Sequence, residues 1–173
     1  MLWVLFKHAI MNKDCYQFSK SPDDFTYAFV SEGIRGRITK GVLITLLRGT
    51  FPYPFSFVYN LAFGDLVPFH DTWILDDSVR TGNGDMSKVI ATVARIAMDF
   101  LGRNPDSLIS FEGYMDEKSA LQGKNHRNIL YQRAINSNWA ELSKDFQFWG
   151  VMGEKIDPYS VGIAYDKILV GLI

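Results

Sequence analysis

Five carboxylates fall where secondary-structure elements should begin or end. They are Asp65 after the third expected strand, Asp76 and Asp77 in the loop that follows, Asp85 at the start of a helix, and Glu112 after the next strand. Residues of a site are commonly carried at such positions on a rigid scaffold. Two or more carboxylates converging on one Mg²⁺ ion would supply the oxygen ligands it prefers and support attack on a phosphodiester. Each also has a plainer reading. Asp85 suits a helix N-cap, Asp65, Asp76 and Asp77 suit turns, and Glu112 suits an ion pair or open solvent.

The basic residues offer a second group. Arg35, Arg37 and Lys40 stand near the start of one strand, and Lys124, His126, Arg127 and Arg133 lie on or near a helix. On an ideal helix Arg127 and Tyr131 are four residues apart and share a face, whereas Arg133 points elsewhere. Arg127 with Tyr131 would suit a phosphate or an acidic partner, and a solvated helix face with a snorkelling arginine fits the same pattern.

Other chemistries find little support. His8, His70 and His126 are scattered, and there is neither a His-Glu-x-x-His nor a Cys-x-x-Cys pair, so no zinc motif is present. A Gly-x-Ser-x-Gly elbow is missing. Gly33-Ile34-Arg35-Gly36 and Gly82-Asn83-Gly84 pair glycines without matching either phosphate-cradle pattern, and they read as backbone geometry. The single cysteine, Cys15, cannot close an internal disulfide, which fits a reducing cytoplasm.

Periodicity supplies the elements that must position these residues. Phe25, Tyr27 and Phe29 alternate with Thr26, Ala28 and Val30, the mark of a strand with one apolar face. Gly36 to Leu47 is a second strand with Ile38, Lys40, Val42, Ile44 and Leu46 on one side; both sides turn apolar near its end, as in a central strand. Two prolines in Gly49 to Pro54 break the pattern. A third strand follows, with Phe55, Phe57, Tyr59, Leu61 and Phe63 on one face. Residues 64–84 read as a polar loop with a short strand at Thr72 to Leu75.

Beyond Asp85, Val89, Val93, Ile96, Ala97 and Phe100 recur at helical spacing, and Gly102 marks the helix end. Leu108 to Phe111 reads as a strand returning to the sheet, with parallel pairing to an earlier strand open to it. Asn125 to Ile135 forms a second helix whose apolar face is drawn from Ile129, Leu130, Ala134 and Tyr131. Phe146 to Val151 and Val161 to Val170 are further strand candidates. The reading is an α+β fold, a mainly antiparallel sheet in the order βββαβαβ with two principal helices. That order is also the order of the ribonuclease H-like fold, although an α+β sheet with helices on one face fits it equally well. An active nuclease of the ribonuclease H type carries an aspartate in the middle of its first strand, and Phe25 to Val30 has none.

A chain of 173 residues is long enough for one self-sufficient core, burying about 70% of the surface of the unfolded form. The division expected is an N-terminal extension over residues 1–20 and a single domain over 21–173. A 14% share of aromatic residues places Phe, Tyr and Trp in that core. The formal net charge of -1 supplies no global field for nucleic acid or an anionic membrane. Met1 to Phe6 gives only five apolar residues after Met1, too few for an export signal or a spanning helix.

Tyr59-Asn-Leu-Ala-Phe-Gly-Asp65, Asp76-Asp77, the run from Asn83 to Ala94 and Arg127-Asn-Ile-Leu-Tyr131 resemble an uncharacterised family of small bacterial proteins. Its pattern joins an Asn-Leu-Phe-Gly-Asp strand end, a glycine-aspartate turn, a Lys-Val-Leu-Ala-Thr-Val helix and an Arg-x-x-Leu-Tyr segment. The resemblance covers roughly residues 25 to 150 and implies a shared fold and polar site, without an activity, substrate or cofactor. Where that pattern has Gly-Ser shortly before the arginine, this chain has Gly113-Tyr114 and an insertion through about Gly123.

The expectation is a cytoplasmic binding or protein-interaction module without catalysis, whose ligand-binding residues are Asp65, Asp77, Asp85, Glu112, Arg127 and Tyr131. No cofactor and no metal is expected. A homodimer or a small protein partner is expected over a membrane or nucleic acid. The alternative is a metal-dependent enzyme acting on phosphodiesters.

Overall fold

In the computed structural model of the chain, residues 14–47, 57–76, 82–111, 121 and 126–173 are described. Within α2 below, the side chains of His126 and Arg127 are not among those described. The elements are β1 (Phe18–Lys20), β2 (Thr26–Gly33), β3 (Gly36–Leu46), β4 (Phe57–Phe69), β5 (Thr72–Asp76), α1 (Met86–Arg103), β6 (Ser107–Phe111), α2 (His126–Ser137), α3 (Trp139–Leu142), β7 (Phe146–Met152), β8 (Lys155–Pro158) and β9 (Lys167–Leu172).

The strands form a mixed nine-stranded sheet in the order β1-β2-β3-β4-β6-β9-β7-β8, with β5 attached to β4. This overturns the expected small, mainly antiparallel βββαβαβ sheet with ribonuclease H-like topology. β1 and β8 are strands that the sequence pattern did not show, the short strand expected at Thr72 to Leu75 is β5 and pairs with β4, and β4 pairs in parallel with β6, the arrangement left open above, through Phe57↔Ser107 to Asn60↔Ser110. The chain divides into two compact units, residues 1–45 with 62–100 and residues 46–61 with 101–173.

In the first unit the alternation of β2 sends Tyr27, Phe29 and Ser31 inward. On β3, Val42 and Ile44 share the buried side. The stripe of α1, with Val89, Val93, Ile96, Ala97 and Phe100 all buried, lies over these residues. Phe25 meets Phe100 with ring centroids 5.9 Å apart, and Tyr27 Oη donates to Asp99 Oδ2 at 3.2 Å. Full burial of one such side chain contributes about 1.5–3 kcal/mol. The end of β3 is less covered than its two apolar faces suggested, since Leu43, Thr45 and Leu46 are exposed.

In the second unit Val58, Leu108, Val151 and Leu169 form one buried cluster, with Leu47, Trp149 and Ile156 packed against it. An aromatic group gathers elsewhere: Trp139 lies 5.5 Å from Phe148 and 5.4 Å from Tyr159, which is 5.1 Å from Tyr165. A Cβ on Gly150 would stand 2.1 Å from the Tyr165 ring, so that ring rests directly on the β7 backbone.

Candidate functional site

β4 is longer than its sequence pattern suggested, and this relocates Asp65. Gly64 to Phe69 continue the strand, so Asp65 sits within it and is the register partner of Asp76 on β5. Pro68 faces Trp73 in that ladder. Asp65 is buried and forms an ion pair with Lys40 Nζ on β3, itself buried. Lys40 is in phase with Val42 and Ile44, which carries its ammonium to the core side of the strand rather than to a solvated basic patch.

Asp85 precedes α1 and its carbonyl accepts the helical bond from Val89 N–H at 3.0 Å. Its carboxylate reaches elsewhere. Oδ2 accepts from Ser31 Oγ at 2.6 Å and from Tyr16 Oη at 2.8 Å. Tyr16 Oη in turn accepts the Glu32 N–H at 2.9 Å, its ring stacks on Phe29 with centroids 5.9 Å apart, and Lys88 Nζ lies 4.4 Å above it. Burial pushes the Asp85 carboxyl upward, but the hydrogen bonds from Ser31 and Tyr16 and the charge of Lys40 prevail and hold it below its ordinary value. Burial raises the Tyr16 phenol, and the Asp85 carboxylate adds to that rise.

Asn83 links the two glycine pairs that looked unrelated. Its backbone carbonyl accepts Ile34 N–H at 3.0 Å and its Oδ1 accepts Arg35 N–H at 2.8 Å. Its Nδ2 donates to Gly36 O at 3.1 Å and to Ser31 Oγ at 2.9 Å. The turn at residues 82–84 therefore clasps the tip of the β2–β3 hairpin. A Cβ on Gly33 would lie 1.9 Å from the Asn83 carbonyl, so only glycine allows this approach. Gly82 and Gly84, both at positive φ, let the chain turn on either side of Asn83.

In the second unit Tyr131 is half-buried, with its ring 6.1 Å from that of Phe111. The buried side of α2 carries Asn128, Gln132 and Ile135, while Ile129 and Leu130, expected on that side, are exposed. Asn128 Nδ2 donates to the carbonyls of Tyr165 and Asp166, the latter at 3.0 Å, and Gln132 Nε2 donates to Tyr165 O at 2.9 Å. These amides hold the segment leading into β9.

Of the expected ligand-binding residues, Asp65 and Asp85 belong to the first unit and Arg127 and Tyr131 to the second. Asp77 and Glu112 lie outside the described residues. Lys40 joins Asp65 and Asp85 electrostatically. Among the described residues no group of three or more His, Cys, Asp or Glu side chains is arranged to hold a metal ion. Tyr16, Ser31, Asn128 and Gln132 were missed by sequence reasoning. Ser31 alone carried a signal, since it continues the alternation of Phe25, Tyr27 and Phe29 and must be buried with a partner.

The described residues build a mixed nine-stranded sheet carrying helices, with a buried polar clasp at one hairpin. The chain belongs to a family of unknown function, DUF6934, which matches residues 12–172. This agrees with the expectation of an uncharacterised family and reaches further along the chain than residues 25 to 150. Neither the curated proteins nor the solved structures provide a match. Among the described residues no helix is long and apolar enough to cross a membrane.

Proposed function

We propose that this chain is a non-catalytic binding or protein-interaction module. The observation that carries this reading is that Asp65 and Asp85 are both engaged by side chains of the fold itself. Asp65 is neutralised by Lys40, and Asp85 accepts from Ser31 and Tyr16 while those residues hold a hairpin in place. A carboxylate engaged in this way positions backbone and is poorly disposed to bind a metal or move a proton. Phe69, Trp73 and Ile74, by contrast, stand exposed around the β4–β5 turn, and exposed large apolar side chains gathered at one place suit a partner surface. The single cysteine favours work in a reducing compartment.

One observation favours the second reading, a metal-dependent phosphodiesterase. Asp65 and Asp76 are register partners, which brings two carboxyl groups onto one side of neighbouring strands. The test is hydrolysis of bis-p-nitrophenyl phosphate with Mg²⁺ or Mn²⁺. The interaction reading expects no turnover above that of an Asp65→Asn, Asp76→Asn double variant. Metal-dependent turnover that this variant lacks would overturn it.

A further inference from the structure

The hairpin of β4 and β5 ends in a feature that the buried network does not use. Among the described residues β4 is the one strand that pairs with β5, and Thr72, Trp73 and Ile74 are exposed, Trp73 at 58% and Ile74 at 44%, while Leu75 and Asp76 are half-buried; Phe69 at the turn is at 51%. An open strand edge is a template for pairing, and proteins usually blunt it with charge, proline or brevity. Both terminal strands of the sheet are blunted. β1 is three residues long and ends in Lys20, ion-paired to Asp24 at 3.0 Å. β8 is four residues long, carries the Lys155–Asp157 pair and ends in Pro158. β5 reads Thr-Trp-Ile-Leu before its first charge, Asp76.

The register of β5 identifies which of its groups point outward. Phe69 and Thr72 flank the two-residue turn His70-Asp71 and close it as the hydrogen-bonded pair. Thr72, Ile74 and Asp76 therefore direct N–H and C=O toward β4, and Trp73 and Leu75 direct theirs to the open edge. Pro68, with no N–H to give, stands opposite Trp73, where this pattern requires none from it.

We propose that a second copy of this chain covers this edge, by antiparallel pairing of β5 with its own counterpart about a two-fold axis through Ile74. This deepens the interaction reading and rests on it. Centred on Ile74, the strand is complementary to itself. Trp73 stands opposite Leu75 of the other copy, Ile74 opposite Ile74, and Thr72 opposite Asp76, so no two like charges face each other. The outward N–H and C=O groups of Trp73 and Leu75 then meet as hydrogen-bonded pairs, which is the alternation an antiparallel ladder requires. The apolar side continues across the axis. Leu66 and Leu75 pack over Gly41, where a Cβ would lie 2.7 Å and 3.1 Å from them. The second copy's Trp73 extends that row. An isologous contact of this kind closes on itself and produces a dimer rather than a fibre.

The test uses the full chain. Sedimentation and light scattering from about 1 to 100 µM should give a particle of twice the 19.7 kDa chain mass. Trp73→Lys, confirmed as folded by circular dichroism, should raise the dimer dissociation constant by about 30-fold or more, as loss of a central aromatic anchor does. In a Cys15→Ser background, Ile74→Cys should cross-link to itself under mild oxidation faster than Thr72→Cys. Monomer at every concentration, a dimer unaffected by Trp73→Lys, or equal cross-linking at 72 and 74 would overturn the pairing. A monomer that binds a different protein through Trp73 would also overturn it, while leaving the interaction reading intact. Phosphodiesterase turnover would have the reverse effect, removing that reading's claim of non-catalysis and leaving the dimer in place.

Discussion

Lys40 and Asp65 form an ion pair between β3 and β4 with only 9% and 11% of their side chains exposed. Two opposite charges removed from water in this way are each other's compensation, and removing one leaves the other stranded.

Lys40→Met or Asp65→Leu alone is expected to destabilise the fold by about 3–5 kcal/mol, whereas the double variant is expected to recover most of that loss. Urea unfolding followed by circular dichroism measures all three. Additive losses would show that the two side chains do not act as a pair.

Acid should weaken the protein through Asp85. Its carboxyl is held below its ordinary value in the folded state, so it binds its proton less readily there than in the unfolded chain. The stabilisation is complete above the unfolded value of about 3.9 and disappears as the pH falls through the lower folded value. Asp85→Asn should therefore flatten the acid limb of a stability profile taken from pH 6 to pH 2. Tyr16→Phe, which removes one of the two hydroxyl donors, should reduce the slope by less.

Gly33→Ala should be costly. The added methyl would meet the Asn83 carbonyl at 1.9 Å, and backbone on both sides resists displacement. A loss of about 1–3 kcal/mol is expected from such overpacking. Asn83→Ala should accelerate hydrogen exchange at Arg35 N–H, because its acceptor is the Asn83 side chain.

Asn128→Ala removes the donor shared by the Tyr165 and Asp166 carbonyls. Tyr165 O keeps the bond from Gln132, and the loss of both bonds from Asn128 should cost about 1–3 kcal/mol. Limited proteolysis should then cut between Ser160 and Asp166 sooner than in the parent chain. An unchanged cleavage rate would assign the hold on that segment to Gln132 alone.

What the sequence revealed depended on how local each determinant was. The stripe of α1 and the alternation of β2 are periodic over many residues, and their partners lie on a single face, so both could be read directly. β4 was ended too early because Gly64 and Pro68 look like breakers. The ladder tolerates Pro68 because it stands opposite Trp73, a fact of pairing that residues 57–69 do not contain. β8 is too short and polar to show alternation. The face of α2 was misjudged for a related reason. Asn128 and Gln132 are buried because carbonyls near residue 165 receive their amide protons, a partnership 33 or more positions away. In the candidate site, the positions of Asp65 and Asp85 are visible as acids near element ends, but Lys40, Ser31 and Tyr16, which decide what those acids do, reach them from 25 or more positions away.

The clasp at Asn83 also orders events during synthesis. β2 and β3 meet through a two-residue turn and can pair as soon as both have left the ribosome, since closing so short a loop requires little ordering of chain. The bonds that fix the tip of that hairpin come from a residue 48 positions beyond Arg35. A nascent chain passes through a stage in which the hairpin is paired and its tip is not yet held, and Ser31 waits for both Asn83 and Asp85 to emerge. Fastening of this hairpin tip must therefore await synthesis through residue 85.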